Sequence, residues 1–508
     1  LSFWEKNGIL MKKNIHTDLP QIIFGSPDSA VSRRMNQLEK SGNIRKIAPR
    51  LYTSNLKDSP KDIVKRNLFT VLGGLFEGAV LSHRSALEFQ PTETDDIFVT
   101  YKYTRKTKFA GITVNFLKGQ GAIAGDNLLA DGLFAAQKER ALLENLQISR
   151  RKGGASKTLP RTYVEEELDK IIRVHGETGL NELRDKAKAI SEQLEMTREY
   201  EKLHKMISAM LATRPSKLLH SSVAKARALG TPYDPARVDL FQKLFIELQQ
   251  NEYKNQPERN QTDVQFSLFA FYESYFSNYI EGTRFGLAEA RNIIQNQQPL
   301  PARQEDSHDI LGTYRIASDV AEMSLTPTSA DELLEILMRR HHVLLSARTS
   351  KNPGKFKDKN NYAGQTAFVD YTLVRGTLIK GFELYRALNA PFAKAAFMMF
   401  LVSEVHPFLD GNGRIARIMM NAELTANQQS KIIIPTVFRD DYLLALRRLT
   451  RQHDPKPYIT MLQVAYEFSA ELFYTENTDF QEHLRQTNAF LEHTEGRLKV
   501  IENLKYAR

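Results

Sequence analysis

The sequence predicts a multidomain, mainly α-helical protein with strands concentrated in its first third. Three observations predict this class. The chain has 508 residues, which fits about three domains at ~100–200 residues each. From about residue 238 to 475, apolar side chains recur at helical spacing, interrupted only at 348–370 and at Ile432-Ile433-Ile434-Pro435. Residues 1–160 instead mix helix-spaced stretches with short apolar runs, such as 97–101, that read as strands.

Composition narrows the function. There is no cysteine, which excludes a disulfide framework, a thiol nucleophile, a thiolate zinc site and an iron–sulfur cluster. That fits a cytoplasmic protein. Apolar residues make up 42% and the mean hydropathy is −0.42, as in soluble globular chains. No apolar run reaches the ~18 residues needed to span a bilayer. No basic segment leads into an apolar one at the start, so neither a membrane span nor a secretory signal is expected. The first methionine is Met11, and 1–10 reads as an alternative start or an upstream extension. The whole net charge of +10 lies in residues 1–160, with 25 basic and 15 acidic side chains. A basic region of this kind attracts polyanions, DNA above all, or is a solvated surface.

The elements follow in order. Ser26-Pro27-Asp28 is a helix start. The helix continues to Lys40, with Val31, Met35 and Leu38 on one side and Arg33, Arg34 and Lys40 free for the other. Ser41-Gly42-Asn43 ends it. Arg45, Lys46 and Arg50 then interleave with apolar residues in a basic hairpin. Residues 1–60 therefore resemble a winged helix-turn-helix, and those six basic residues are its candidate DNA contacts. Residues 61–155 form an α/β region. A helical stretch at 63–75 and a helix start at Leu81-Ser82-His83-Arg84 precede two strands, 97–101 and 112–116, joined by a basic turn at 102–108. The order of these pieces looks like the N-terminal region of AbiEi-type antitoxin regulators. Residues 151–160 are polar and contain glycine, as a linker would. Residues 156–264 are expected as a helical connector, 265–475 as the catalytic core and 476–508 as a C-terminal helix.

The chemistry is concentrated in one loop. An apolar helix beginning near Ala393 runs into His406-Pro407-Phe408-Leu409-Asp410-Gly411-Asn412-Gly413-Arg414-Ile415-Ala416-Arg417, and a second helix follows. Gly411 and Gly413 let the backbone turn with its N–H groups outward, at the positive end of the second helix. Arg414 and Arg417 lie one turn apart and suit phosphate oxygens. Asp410 is a hard oxygen ligand for Mg²⁺. His406 is a candidate general base. Together they assemble a nucleoside-triphosphate site.

His-Pro-Phe-x-Asp-Gly-Asn-Gly-Arg-x-x-Arg is the full signature that this loop shares with the Fic family, and it resembles that family without a departure. The resemblance implies an all-α core with a β-hairpin flap and a protein adenylyltransferase. Such an enzyme moves AMP from ATP, with Mg²⁺, to a Ser, Thr or Tyr hydroxyl of a target protein. It implies His406 as the base and Asp410 as the Mg²⁺ ligand. Gly411, Asn412 and Gly413 would form the anion hole, Arg414 would meet the phosphate chain, and Arg417 the γ-phosphate. Residues 354–370 resemble the flap, with Ala363, Gly364, Gln365 and Thr366 along the nucleotide. Tyr442 resembles the residue beside the adenine. Ser277-Asn278-Tyr279-Ile280-Glu281-Gly282 fits the family's inhibitory pattern, Ser/Thr-x-x-x-Glu-Gly, so Ser277, Glu281 and Gly282 imply that Glu281 restrains Arg417. Relatives in which the same Glu positions water imply a reverse, AMP-removing activity. Two alternatives stand beside this reading: transfer of another phosphate-linked group, and a nucleotide-sensing transcription regulator or antitoxin. The target, any DNA site, and whether the chain forms a homodimer are left open.

Overall fold

The structure, a computed structural model, describes residues 19–130, 132–149, 155–211, 218–364, 366–473 and 480–499. Gln365 and residues 1–10 lie outside them, as does part of the expected linker. The chain divides into two compact units, Leu1–Ala228 and Leu229–Arg508.

The first unit begins with β1 (Ile22–Phe24), α1 (Ser29–Lys40), β2 (Arg45–Ala48) and β3 (Leu51–Thr53). The Asp28 carboxylate caps α1 by accepting from the N–H groups of Ala30 and Val31, as the sequence leads one to expect. Met35 on α1 packs against Ile23, Ile44 and Tyr52. The hairpin is there too, and it is completed by β1 in a three-stranded antiparallel sheet of order β1-β3-β2.

Next come α2 (Pro60–Arg66), α3 (Leu68–Leu75), β4 (Val80–Leu81), α4 (Ser85–Glu88), β5 (Asp96–Tyr101), β6 (Arg105–Phe109), β7 (Ile112–Lys118), β8 (Asn127–Ala130), β9 (Leu133–Ala135) and α5 (Lys138–Asn145). Six of these strands form one mixed sheet, β6-β7-β5-β4-β9-β8. The stretch 102–108, expected as a basic turn, supplies most of β6. Its Arg105, Lys106 and Lys108 sit exposed on the sheet's edge, where lysine and arginine guard an open strand. His83, in the expected helix start, is buried. Its N–H donates to Glu144, and its ring lies between the Ser82 hydroxyl and the Gln147 side chain.

The expected connector 156–264 is not a separate body. Helices α6 (Arg161–Gln193, kinked at Gly176), α7 (Thr197–Leu211) and α8 (Ser222–Ala228) share a core with α5 through Leu143, Leu168, Leu203 and Ala224. The next helix, α9 (Pro235–Gln250), buries Leu240, Phe241, Leu244 and Leu248 in the core of the second unit. Each helix carries its own apolar stripe, and each stripe is buried locally.

The second unit is helical. After α9 come α10 (Asp263–Ile280), α11 (Leu287–Asn296), α12 (Gln304–Ala317), α13 (Val320–Met323) and α14 (Ala330–Leu344). A two-stranded hairpin, β10 (Tyr362–Ala363) and β11 (Thr366–Ala367), interrupts them. Then follow α15 (Val374–Tyr385), α16 (Pro391–Val405), α17 (Asn412–Ala426), α18 (Arg439–Gln452) and α19 (Lys456–Ala470). α16 is apolar nearly all round and forms the centre, with Phe397, Met398, Phe400 and Leu401 all buried. The helix expected over 476–508 shrinks, among the described residues, to α20 (Phe480–Gln486). From there the chain runs irregularly, and Phe490 stacks on Phe276. Among the described residues no helix is long and apolar enough to cross a membrane.

Candidate active site

The signature loop joins the end of α16 to the start of α17. His406 closes α16 in the left-handed conformation, φ 52°, and Gly411 opens α17 at φ 73°. The loop is braced from inside. The Asn412 side chain accepts from the Phe408 N–H at 2.8 Å and donates to the Phe408 carbonyl at 2.9 Å. Both polar groups of the Asn412 side chain are thus committed to the loop itself. Gly413 has a different task. The Glu281 carboxylate lies so close above it that a Cβ would push the carboxylate aside.

His406 is oriented for base chemistry. Its Nδ1 faces the Ser403 carbonyl at 3.2 Å, so that nitrogen carries the hydrogen and Nε2 keeps its lone pair. Phe368, just past β11, stacks on the ring at 3.7 Å and 6°. Burial pulls the imidazole down to about 4, so it is neutral at pH 7.

A second histidine supports the loop. His341 on α14 accepts the Gly354 N–H at Nδ1, 2.9 Å, so its Nε2–H donates to the Asp410 carbonyl, 3.1 Å. Its ring stacks on Phe408 at 3.8 Å. Burial pulls it down to about 4, which keeps it in this neutral form. Nothing in the sequence marks His341; it lies 65 positions before His406 on an ordinary amphipathic helix.

The Asp410 side chain is half-exposed, with Oδ1 accepting the Gly411 N–H at 2.7 Å and Oδ2 at 3.7 Å from Lys351 Nζ. Among the described residues, no group of three His, Asp or Glu stands ready to hold a metal. One open carboxylate oxygen fits a Mg²⁺ ion whose other ligands are phosphate oxygens and water.

The two arginines part company. Arg417 is buried on α17, with every nitrogen engaged. Nε donates to Ser277 Oγ (3.0 Å), Nη1 to Tyr442 OH (3.2 Å), and Nη2 to Ser277 O (2.9 Å) and Glu281 Oε1 (2.7 Å). Glu281 thus meets Arg417 as the sequence pairing expects, and Ser277 and Tyr442, for which no such contact was expected, join them, with Gly282 turning the chain out of α10 at φ 92°. Burial raises the Glu281 carboxyl, but Arg417 and Arg414 outweigh it and hold the group below its ordinary range. Arg414 turns the other way. Its Nη1 pairs with Asp309 on α12 at 2.6 Å and reaches Asn278 Oδ1 at 3.3 Å. Asp309 is shared with Arg348, at 2.8 Å. Its Nη2 lies 3.8 Å from Asp410 Oδ1, so Asp309 fixes one end of the guanidinium while the other end faces the signature loop.

Between loop and hairpin lies a cavity of about 530 Å³. Glu281, His406, Gly413 and Arg417 line one part of it. Ala363, Gly364, Thr366, Tyr442, Leu443 and Leu446 line another. Gly364 has φ 59°, the left-handed turn that lets the hairpin close.

In the first unit, Arg33, Arg34, Lys40, Lys46 and Arg50 are exposed, whereas Arg45 turns inward. Its Nη2 donates to the carbonyls of Asp58 (2.6 Å) and Asn55 (3.3 Å), which removes it from the basic face.

Residues 327–424 match a family model described as Fic/DOC family. The chain is 27% identical over 230 residues to "Protein adenylyltransferase Fic" of Drosophila persimilis, covering 42% of each chain. It is 28% identical over 228 residues to the protein of that name in Drosophila ananassae, covering 41% of this chain and 43% of the relative. The alignments thus span less than half the length of the curated relatives. Fic-1 from C. elegans aligns with 64% of this chain and 97% of its own, at 15% identity and a TM-score of 0.34.

Proposed function

We propose that this chain, whose signature loop falls in the segment matching the Fic/DOC family, transfers AMP from ATP to a hydroxyl of a protein. The reading is carried by one observation: His406, with Nε2 free, borders the same cavity as Gly413 and Arg417. In the reaction, the target hydroxyl oxygen attacks the α-phosphorus while its proton passes to His406 Nε2. The bond from the α-phosphorus to the bridging oxygen breaks, and pyrophosphate leaves. The N-terminal N–H groups of α17 face the charge that builds on the phosphate oxygens. Asp410 would hold Mg²⁺, which neutralises phosphate charge when bound.

Restraint is part of the reading. Glu281 places a carboxylate against Gly413 and on Arg417, where a γ-phosphate would be bound. ATP then lies unproductively. A basic face on α1 with Arg33, Arg34 and Lys40 exposed favours, as a second reading for the first unit, contact with DNA. Its test is retention of labelled duplex by the full chain, lost when these three residues become alanine.

The primary test is transfer of α-labelled ATP onto protein by the wild type, Glu281→Gly and Glu281→Gly/His406→Ala. Strong label in the single variant only is the expected result. Absence of label in all three, with ATP bound, would turn the reading to another transferred group or to a nucleotide sensor.

A further inference from the structure

Four elements of the second unit meet at one charged pair outside the residues discussed so far. Arg237, in the first turn of α9, pairs with Glu404 on α16, two positions before His406. The Glu404 side chain is 3% exposed. Its Oε2 accepts from the Thr450 hydroxyl of α18 at 2.6 Å. The other terminal nitrogen of Arg237, Nη2, donates to the carbonyl of Ala367 in β11 at 2.6 Å. One residue earlier, Thr366 Oγ1 accepts from Arg451 Nη2 at 2.8 Å. One residue later, Phe368 stacks on His406.

The hairpin needs such an anchor. It consists of two residue pairs, Tyr362 with Ala367 and Ala363 with Thr366. A ribbon of that length does not hold itself in water. An arginine suits the position because one rigid fork presents two donors in different directions. Lysine has a single nitrogen and cannot reproduce that geometry. Burial raises the Glu404 carboxyl, whereas Arg237 lowers it, so the two charges depend on each other.

We propose that Arg237 is a positioning residue: it pins β11 at Ala367 to the helix that ends in His406, and so sets where a target hydroxyl meets the imidazole. The proposal rests on the AMP-transfer reading for its catalytic consequence, but not for the anchoring itself. Arg237 itself does not line the cavity, whereas its partner Glu404 and the neighbouring Thr366, Thr450 and Arg451 do, so the test changes Glu404 only to its isosteric amide.

The test uses the full chain with Glu281→Gly as parent. Arg237→Ala alone would strand a buried carboxylate and risk the fold. The informative variants are therefore Arg237→Met/Glu404→Gln, which removes the anchor without leaving a charge, and Arg237→Lys. Three quantities are read: hydrogen exchange of the amides at 361–368, affinity for MgATP, and the rate of label transfer onto protein. Measured against Glu404→Gln alone, which carries any effect of the cavity wall itself, the double variant speeds exchange in the hairpin about tenfold and slows transfer about tenfold or more, with MgATP affinity within about threefold, as a misplacement of reacting groups requires. Arg237→Lys falls between the two. Unchanged hairpin exchange overturns the proposal, and so does transfer at the parent rate. Transfer and ATP affinity falling in parallel also overturns it, because that marks a damaged cavity. If the parent itself moves no label, the AMP-transfer reading fails, and hairpin exchange alone decides whether Arg237 anchors β11.

Discussion

Glu281 Oε1 stands 2.7 Å from Arg417 Nη2, and the same guanidinium donates to Ser277 and Tyr442. The carboxylate thus occupies an arginine whose remaining donors tie α10 to α18 through Ser277 and Tyr442. In the proposed reading a triphosphate would displace Glu281 to reach Arg417, while Ser277 and Tyr442 would keep the guanidinium in place for it.

Replacing Glu281 by Gln tests the role of charge. Gln keeps an oxygen for Arg417 and loses a charge-assisted hydrogen bond, worth about 1.5–3 kcal/mol. Label transfer is expected to rise over wild type by about 10- to 100-fold if that bond sets the restraint. Glu281→Gly should exceed it. Acid does not imitate the substitution. The Glu281 carboxyl is held below its ordinary value, so the pair persists above the unfolded pKa and is lost only as pH falls through the lower folded one. Wild-type transfer measured from pH 8 to pH 5 should therefore show no activation on acidification.

The pH profile of Glu281→Gly reports on His406. Burial pulls this imidazole to about 4, and Lys357 adds to the effect while Glu281 opposes it. The base is thus deprotonated throughout the neutral range, and its acid limb falls near pH 4. Without Glu281 the limb lies no higher. Lys357→Gln removes a cation near the ring and should move the limb upward. A limb near 6.5 in the parent would contradict the burial of His406. The stability consequence has the same sign: the unfolded chain takes up the proton near 6.5 and the folded chain near 4, so acid unfolding begins between them.

Much of the site was legible because its residues are adjacent in sequence. Asp410 to Arg417 lie on one loop and one helical turn, and Ser277 and Glu281 lie one turn apart, so local geometry places them. The cap at Asp28 was legible for the same reason. Arg237, Asp309, His341 and Glu404 were not. The first three are single polar residues on amphipathic helices and Glu404 is an acid on the apolar α16, and only packing brings them together around the loop. β6 was missed because its charges suit a turn as well as a sheet edge, and the pairing with β7 decides between them. Arg414 shows the converse. Its motif position is plain from the sequence, but the carboxylate that holds it comes from more than 100 residues away.

Asp309 joins Arg414 and Arg348 in a nearly dry cluster, with its side chain 2% exposed. Asp309→Ala takes from Arg414 its buried carboxylate, whereas Arg348 keeps Glu305 and Asp306. Breaking a buried pair in this way costs about 3–5 kcal/mol. A clear drop in the denaturant midpoint of the second unit is expected. Asp309→Asn keeps hydrogen-bond acceptance and should lose less. Equal midpoints for wild type and Asp309→Ala would show that solvent reaches the cluster.

Asp410 gives the sharpest test of the cation. Its Oδ1 holds the Gly411 N–H, and an asparagine can still accept that bond through its amide oxygen. Asp410→Asn therefore preserves the turn into α17 and removes the negative charge. A hard divalent cation bound mainly by phosphate and water depends on that charge. In the Glu281→Gly background, Asp410→Asn should lower Mg²⁺-dependent transfer about 100-fold or more, as when a group that stabilises transition-state charge is lost. Thermal stability should stay close to the parent's, because the loop keeps its brace from Asn412 and His341. Chelating Mg²⁺ in the parent should reproduce the loss, and added Mg²⁺ should restore the parent but not the variant. Transfer by Asp410→Asn that is insensitive to chelation would show that the cation, if used at all, is held elsewhere.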